Sequence, residues 1–252
     1  MTDSPSRKVR VALVFGGRSG EHSISAATAA GVMKAIDREK YDVLPVGITR
    51  DGEWVLPSGD SARFELTSGA LPEVTAEGGR EIAGLAEAGP VDVVFPLLHG
   101  PYGEDGTIQG LLELAGLPYV GAGVLASAVG MDKAYMKLVF AGHGLPVAPY
   151  VVVKPREWEE SPSAVVDRVQ AQLRFPVFVK PARAGSSLGV TRVDDLTGLS
   201  EAIEEARVHD PKVLVEEGVE GREIECAVLG GRAGGRPRAS VPGEIAVDHD
   251  QA

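Results

Sequence analysis

The chain of 252 residues is long enough for one large domain or two to three small ones, and 44% of its residues are hydrophobic, enough for packed cores. Its net charge of −11 argues against nonspecific nucleic-acid binding, since no basic surface is available to displace counterions from phosphate. The single cysteine, Cys226, excludes an internal disulfide framework, and no apolar run is long enough to cross a membrane. The simplest interpretation is a protein of the reducing cytoplasm without a nucleic-acid or membrane partner.

In the first half of the chain, apolar strands alternate with helices. Residues 9–15 form a continuous apolar, β-branched run that ends in a glycine turn, as expected of a buried strand. The following patterns predict, in order, a helix over 23–36, a strand over 41–48, exposed loops with a hairpin around Trp54 over 50–89, a strand over 91–98, a helix over 107–115 and a brief strand over 117–120. This alternation predicts a parallel, doubly wound α/β layer.

The second half has an α+β pattern. A helical stretch over 124–142 is interrupted near Gly130, where Asp132 is a candidate cap for a second segment. Prolines in 145–153 predict an edge strand or a connector. The remaining patterns predict a helix over 163–173, antiparallel strands over 175–180 and 189–193, a helix over 194–208, and strands over 213–217, 224–229 and 239–247.

The turn after the first strand carries Glu21. This turn reads Gly-Gly-Arg-Ser-Gly-Glu over residues 16–21, and it lies between a strand and a helix, where open α/β sheets bind ligands. It lacks the G-x-G-x-x-G spacing, so a nicotinamide site is disfavoured. The Glu21 carboxylate is either a first-turn acid stabilised by the helix dipole or a group that binds a substrate ammonium.

His99 enters a second glycine-rich loop, over residues 99–106, at the end of the strand predicted over 91–98. A histidine at a strand end, ahead of a helix, is well placed to meet an anion or a carboxylate. The alternative is a histidine that only binds loop carbonyl groups.

Two lysines and a turn of small residues indicate a phosphate site. Lys133 begins a helix, where its positive charge opposes the helix dipole unless an anion neutralises it; a solvated surface lysine is the alternative. Lys180 ends a strongly apolar strand, so it needs a partner. The turn that follows carries the adjacent hydroxyls of Ser186 and Ser187, and its backbone can approach phosphate oxygens closely. No G-x-x-x-x-G-K-[ST] motif occurs in the sequence.

The strand predicted over 213–217 runs into a glycine-containing connector with clustered acids, up to Glu223. In a nucleotide site, backbone groups of such a connector can bind an adenine edge, and a carboxylate can bind ribose hydroxyls. The alternative is an acidic turn that is only solvated.

Taken in order, these segments resemble the D-alanine–D-alanine ligase family of the ATP-grasp superfamily. No single motif is decisive, but six of them follow one another with compatible spacing from about residue 8 to 245. They are GGRSGEHSIS, LLHGPYGEDGTIQGLLELAGLPYVG, MDKAYMK, GLPVAPY, PVFVKPARAGSSLGV and VEEGVEGREIECAVLG.

The resemblance implies an activity, its co-substrates and an assembly. Members of the family join two D-alanines for peptidoglycan, using ATP and two Mg²⁺ ions, for which Mn²⁺ can substitute. ATP phosphorylates the carboxylate of the first D-alanine, the amine of the second attacks the acylphosphate, and phosphate leaves. This chemistry needs positioning and charge stabilisation rather than a protein nucleophile. A cytoplasmic homodimer, formed through the first domain, is also implied.

The resemblance implies site residues as well. Glu21 corresponds to a glutamate that binds the ammonium of the first D-alanine, and His99 to a histidine near the carboxylate of the same substrate. Ser186 corresponds to a serine that, in a network with Glu21, orients the substrate and helps to close the site. For ATP, the resemblance implies that Lys133 and Lys180 bind the phosphates and that Ser187 belongs to the phosphate loop. It also implies that the adenine connector contains Glu216, Glu217 and Val219, and that the Glu223 carboxylate binds the ribose.

Three domains are implied: an N-terminal α/β substrate domain over residues 1–121, a central ATP-grasp subdomain over 122–215, and the start of an incomplete C-terminal ATP-grasp subdomain over 216–252. No metal ligand is assigned, because the family's magnesium ligands would follow residue 252. Asp248 and Asp250 match none of these ligands and are expected to be solvated. We therefore expect the sequence to be part of a longer polypeptide.

Two alternatives stay open. The same fold can make D-alanyl-D-lactate or D-alanyl-D-serine, since the resemblance places the choice of second substrate in a mobile loop that the sequence does not contain. The other alternative is a non-catalytic fragment that holds nucleotide or a D-amino acid without ligating it.

Overall fold

The first half of the chain forms a five-stranded sheet. The computed structural model describes residues 7–58, 72–77, 79–231 and 234–246. The strands are β1 (Val9–Gly16), β2 (Tyr41–Ile48), β3 (Trp54–Pro57), β4 (Gly79–Ile82) and β5 (Val93–Pro96). Their order in the sheet is β4-β3-β2-β1-β5, and β1 pairs in parallel with both β2 and β5, as predicted.

The prediction of a parallel sheet is wrong at one edge, and the sheet is mixed. β3 pairs antiparallel with β2, and β4 pairs antiparallel with β3, so the hairpin around Trp54 is confirmed but belongs to the sheet. Only residues 49–53 separate β2 from β3, too few for the crossover that a parallel pair needs. The segment is also less exposed than predicted, since Val55, Val74 and Leu85 are buried. The prediction for residues 59–71 and 78 lies outside the described residues.

β1 is buried on both faces, which explains its unbroken apolar run. Ala12 and Val14 share one core with α2 (Thr107–Leu114), while Leu13 and Phe15 share another with α1 (His22–Ala35). The strand predicted over 117–120 is reduced to a single parallel bridge between Val94 and Tyr119. The parallel strands β1 and β5 end at the same edge of the sheet, and each is followed by a helix, α1 and α2 respectively.

Two short helices follow the first sheet, α3 (Val124–Met131) and α4 (Lys133–Gly142). The predicted interruption is confirmed and falls at Asp132. Its carboxylate accepts hydrogen bonds from the N–H groups of Ala134 (3.1 Å) and Tyr135 (3.3 Å), which caps α4. The cap makes Lys133 the first residue of α4.

A four-stranded antiparallel sheet organises the second half. Its strands are β6 (Tyr150–Val153), β7 (Val177–Pro181), β8 (Thr191–Val193) and β9 (Val213–Glu217), in the order β6-β9-β7-β8. The antiparallel β7–β8 pair and the edge position of β6 are confirmed. The domain boundary expected after residue 215 falls inside β9.

The two faces of this sheet differ. Val177 and Val215 belong to a core beneath α5 (Pro155–Glu160), α6 (Pro162–Gln172) and α7 (Leu199–Arg207). The helix predicted over 194–208 starts with a 3-10 turn that Asp195 caps, and α5 was not predicted. The opposite face carries alternate residues of β7 and β9, including Lys180 and Glu216.

The last described segments are two small antiparallel pairs. β10 (Glu223–Glu225) pairs with β13 (Gly243–Ile245), and β11 (Val228–Leu229) pairs with β12 (Arg238–Ala239). The strands predicted over 224–229 and 239–247 are therefore each divided into two shorter strands. Cys226 lies between β10 and β11 and is exposed. Among the described residues, no helix combines the length and apolar character that a membrane crossing requires.

Candidate active site

Glu21 lies at the N-terminus of α1, where the carboxyl end of β1 opens. Its side chain makes no capping hydrogen bond with the helix. The Ser19 hydroxyl accepts a hydrogen bond from the Glu21 N–H (3.2 Å) and donates one to the His99 carbonyl (2.7 Å). Ser19, which was not predicted, thus joins the two glycine-rich turns that carry the candidate substrate residues; its only signal in the sequence is a small polar side chain within the first turn.

His99 follows β5 at the same edge of the sheet as Glu21. Its ring Nε2 lies 3.3 Å from the Thr28 hydroxyl, which donates to the carbonyl of Ile24 in α1 (2.9 Å). The sequence left open a His99 ring that binds loop carbonyl groups, whereas the described contact of the ring is with the Thr28 hydroxyl. The ring is half-buried beside α1 and keeps one nitrogen for a further partner.

The segment between β7 and β8, residues 182–190, which we call the serine turn, brings the second half of the chain to Glu21. Ser186 (φ 48°) and Ser187 (φ 56°) both adopt the left-handed conformation, which costs free energy for residues other than glycine. In this conformation the Ser186 hydroxyl donates a hydrogen bond to Glu21 Oε1. A Cβ atom at Gly185 would lie 3.1 Å from Glu21 Oε2, and one at Gly100 would overlap the same oxygen. The two glycines therefore give the carboxylate its space.

Both ends of the serine turn are fixed to the segment between α7 and β9. Arg183 donates two hydrogen bonds to the Asp210 carboxylate, of 2.9 and 2.8 Å. Burial acts to raise the pKa of Asp210, but the hydrogen bonds from Arg183 and the Lys212 N–H outweigh it and hold that pKa below its usual range. At the other end, Gly189 (φ 68°) packs so tightly on His209 that a Cβ atom would overlap the ring. Neither anchor was predicted.

A lysine cluster, which we define as Lys133, Lys137 and Lys180 with the Glu216 carboxylate, lies beside the serine turn. Lys180 Nζ donates to Glu216 Oε2 (2.5 Å), and Lys137 Nζ donates to Glu216 Oε1. Lys133 Nζ donates to the carbonyl of Ala184 in the serine turn (2.6 Å). Lys133 and Lys180, predicted from separate motifs, are therefore brought together, and the sequence did not reveal Lys137.

The lysine cluster has an excess of positive charge. Burial lowers the pKa of Lys133, and the nearby Lys180 ammonium lowers it further. The carboxylates of Asp210, Asp132 and Glu216 act in the opposite direction without cancelling these effects. A polyanion placed here would relieve the repulsion between the lysines.

The connector after β9 lines a separate cavity of about 660 Å³. Glu217, Val219 and Glu223, all predicted for nucleotide binding, lie on its wall, opposite Phe178 of β7. Phe178 pairs directly with Glu216 and therefore lies on the same face of the sheet as the lysine cluster. The Glu217 carboxylate accepts a hydrogen bond from the Arg174 N–H (3.0 Å), so it is already engaged.

A second cavity, of about 550 Å³, lies between the two halves of the chain beside Lys133. Its wall includes Lys133 and the Ala184–Gly185 backbone from one half of the chain, and Leu98 and Glu104 from the other. Of the predicted site residues only Lys133 lines this cavity, and Gly185, where an added Cβ atom would lie 3.1 Å from Glu21 Oε2, lies on the same wall.

A magnesium site does not fit the described residues. They contain no group of three or more histidine, cysteine, aspartate or glutamate side chains that could hold a metal ion. The carboxylate within the lysine cluster, Glu216, has both oxygens bonded to lysines. Asp248 and Asp250 lie outside the described residues. No step of the reaction is therefore derived through a metal ion.

Family models match both halves of the chain. The model described as the D-ala D-ala ligase N-terminus matches residues 10–122, and the model described as the D-ala D-ala ligase C-terminus matches residues 139–251. Together they include every predicted site residue except Lys133, which lies between the two matched ranges.

Relatives and solved structures agree. The D-alanine–D-alanine ligase of Paenarthrobacter aurescens is 59% identical over 94% of this chain and 67% of its own length, and that of Streptomyces coelicolor is 58% identical over 94% and 66%. The chain thus spans about two thirds of these relatives. Two solved structures share the fold. One is the VanG D-Ala:D-Ser ligase of Enterococcus faecalis, with 37% identity and a TM-score of 0.78 over 94% of this chain and 70% of its own. The other is the D-alanine–D-alanine ligase of Coxiella burnetii, with 36% identity and a TM-score of 0.78 over 95% of this chain and 69% of its own. The chain belongs to the D-alanine–D-alanine ligase family.

Proposed function

We propose that this chain carries out the ATP-dependent joining of two D-alanine molecules to D-alanyl-D-alanine, for peptidoglycan precursor synthesis. The observation that carries the proposal is the hydrogen bond from Ser186 to Glu21, which joins the two halves of the chain beside the lysine cluster. Family membership supports the same activity.

Glu21 and His99 are proposed to bind the first D-alanine. The Glu21 carboxylate provides the negative charge that a substrate ammonium needs. The His99 ring, at the same strand edge, is available to the substrate carboxylate. Ser186 orients Glu21, and because it belongs to the serine turn it places the substrate next to the nucleotide phosphates.

ATP is proposed to lie along the face of the sheet that carries Lys180 and Phe178. Lys133, Lys180 and the serine turn with Ser187 would hold the phosphates, since charge-assisted hydrogen bonds to phosphate are strong. The connector would bind the adenosine part through backbone groups at Glu216, Glu217 and Val219, with Glu223 at the ribose.

The chemistry follows from this placement. A carboxylate oxygen of D-alanine forms a bond to the γ-phosphorus as the bond to the leaving ADP oxygen breaks, which gives an acylphosphate. The amine of the second D-alanine then attacks the acyl carbon and loses a proton, and inorganic phosphate leaves. The lysines stabilise the charge on the transferred phosphoryl group, and no protein nucleophile is needed.

The assembly and the metal requirement are part of the proposal. A cytoplasmic homodimer formed through the first half of the chain, three domains divided near residues 121 and 215, and use of two Mg²⁺ ions, replaceable by Mn²⁺, are proposed from the family resemblance. Sedimentation velocity tests the dimer, and turnover with and without Mg²⁺ tests the metal requirement.

A second candidate function differs only in the second substrate. The structural likeness to the VanG D-Ala:D-Ser ligase favours considering D-serine, and D-lactate is the corresponding hydroxy acid. The described residues carry the first-substrate and nucleotide groups, which both reactions share.

One experiment tests the proposal and this alternative. The protein is incubated with Mg-ATP and D-alanine, with L-alanine as the control, and ADP release is measured; products from equimolar D-alanine, D-serine and D-lactate are identified by mass. ADP release that requires D-alanine, with D-alanyl-D-alanine as the main product, is expected. A D-alanyl-D-serine or D-alanyl-D-lactate product would reassign the second substrate. ATP binding without ADP release would indicate a non-catalytic binding protein.

A further inference from the structure

Lys137 is a buried lysine that the proposed reaction does not use. It lies one helical turn after Lys133, on the same face of α4, and its residue is 7% exposed. Its ammonium donates to Glu216 Oε1 and lies 5.4 Å from the centre of the Tyr150 ring. Tyr150, Glu216 and Phe178 are neighbours across β6, β9 and β7, so Lys137 packs on the sheet face proposed for ATP.

The Glu216 carboxylate divides its two oxygens between two lysines. One oxygen accepts from Lys137, which is the more buried lysine, and the other accepts from Lys180 at 2.5 Å. Burial alone would raise the pKa of Glu216, but the hydrogen bonds from both lysines outweigh it, so the pKa lies below its usual range and the carboxylate is ionised at neutral pH. One negative charge therefore faces two positive charges.

The charge balance depends on Lys137. While Lys137 is present, the group of Lys137, Lys180 and Glu216 keeps one net positive charge, which attracts a polyanion. Without Lys137, the Glu216 carboxylate would be balanced by the Lys180 ammonium alone, and this neutral pair would attract phosphate less strongly. Lys137 is less accessible to a ligand than Lys180, because its ammonium is buried between Glu216 and the Tyr150 ring.

We propose that Lys137 is a positioning residue for ATP: it shares the negative charge of Glu216, so that Lys180, which bonds the other oxygen, keeps a net positive charge for the triphosphate. The proposal rests on the proposed ATP site, and it assigns the net positive charge of that site to a residue that does not itself touch the nucleotide.

The experiment measures binding rather than turnover. Dissociation constants of ATP, adenosine and inorganic tripolyphosphate are determined by calorimetry for the wild-type chain, Lys137→Met, Glu216→Gln and Lys137→Arg. Adenosine lacks the phosphates, and tripolyphosphate lacks the base, so together they separate the two parts of the site. Arg168→Leu is the control. Like Lys137→Met, it removes a cation from a carboxylate in the second half of the chain, here Glu157, but neither Arg168 nor Glu157 lines the cavities of the site.

The affinity for tripolyphosphate is expected to change in opposite directions in Lys137→Met and Glu216→Gln. Lys137→Met weakens ATP and tripolyphosphate binding by about tenfold and leaves adenosine within about twofold of wild type. Glu216→Gln, which frees Lys180, tightens tripolyphosphate binding. Lys137→Arg keeps the charge and binds ATP within about threefold of wild type. Damage to folding cannot tighten binding in one variant and weaken it in another.

Two results would overturn the proposal. One is unchanged tripolyphosphate binding in Lys137→Met, and the other is weaker tripolyphosphate binding in Glu216→Gln. If Lys137→Met does not fold, the sign of the Glu216→Gln change decides alone. Either result is separate from failure of the proposed function, because wild-type ADP release with D-alanine is measured independently.

Discussion

The Ser186 hydroxyl donates a hydrogen bond to the Glu21 carboxylate across 165 positions of the chain. Glu21 belongs to the turn after β1, and Ser186 belongs to the turn between β7 and β8. The two turns therefore extend from different sheets. Their contact places the group proposed to bind the substrate ammonium at the turn proposed to hold the phosphates.

Replacing Ser186 by alanine should impair use of D-alanine more than binding of ATP. The variant loses the hydrogen bond that orients Glu21, and a hydrogen bond to a charged group contributes about 1.5–3 kcal/mol, so kcat/KM for D-alanine should fall about 10- to 100-fold. Steady-state kinetics with each substrate varied in turn measure the change. Ser163→Ala, an exposed serine of α6, is the control. An equal effect on the ATP and D-alanine parameters would contradict the proposed role.

Replacing Lys180 by methionine should weaken ATP binding. The variant removes a charge-assisted contact to phosphate and leaves Glu216 with one lysine partner, so the ATP dissociation constant should rise by at least about tenfold. Calorimetry measures the constant directly. Lys154→Met, which removes an exposed lysine that precedes α5, provides the comparison. Unchanged ATP affinity and turnover in Lys180→Met would show that the phosphate assignment is wrong.

The Arg183–Asp210 pair should make stability depend on pH in the acid range. Because the folded state lowers the pKa of Asp210, the pair contributes stability above the unfolded pKa of about 4 and loses it as the pH falls through the folded pKa. Asp210→Asn should therefore be less stable than wild type at pH 7, and the difference should shrink towards pH 3. Urea denaturation at several pH values measures it. A difference that stays constant with pH would exclude this contribution.

Two glycine substitutions should change stability in opposite directions. Gly189→Ala forces a side chain onto His209 at φ 68°, and Pro181 also lies within 3.0 Å of the added Cβ, so it should destabilise the fold by more than about 1 kcal/mol. Gly110→Ala lies within α2 and meets no atom within 4 Å, so it should stabilise by about 0.5–1 kcal/mol. Thermal unfolding of both variants gives the comparison; a stable Gly189→Ala variant would show that the serine turn is not tightly held.

Local patterns predicted most of the elements, because each depends on neighbouring residues. The apolar run of β1 and the Asp132 cap are examples. The antiparallel edge of the first sheet was missed because the doubly wound pattern was extended to β3, although the short turn at Gly52 excluded a crossover.

The site was less predictable because its contacts join distant segments. Lys133 and Lys180 were found from their positions in motifs, whereas Lys137 looks in the sequence like any other lysine of a helix. Its role depends on Glu216, which lies 79 positions away. The anchor from Arg183 to Asp210 was missed for the same reason, since sequence spacing does not reveal an ion pair between a turn and the end of another helix.

The separation of the hydrophobic cores has a consequence for partly unfolded states. The core beneath β6 to β9 contains no residue from the first sheet, and the lysine cluster and connector belong entirely to the second half of the chain. Glu21 and His99 belong to the first. If mild denaturant unfolds the first sheet alone, the chain would lose the residues proposed to bind the amino acid and keep those proposed to bind the nucleotide. The binding of each ligand would therefore report on the folding of a different half of the chain.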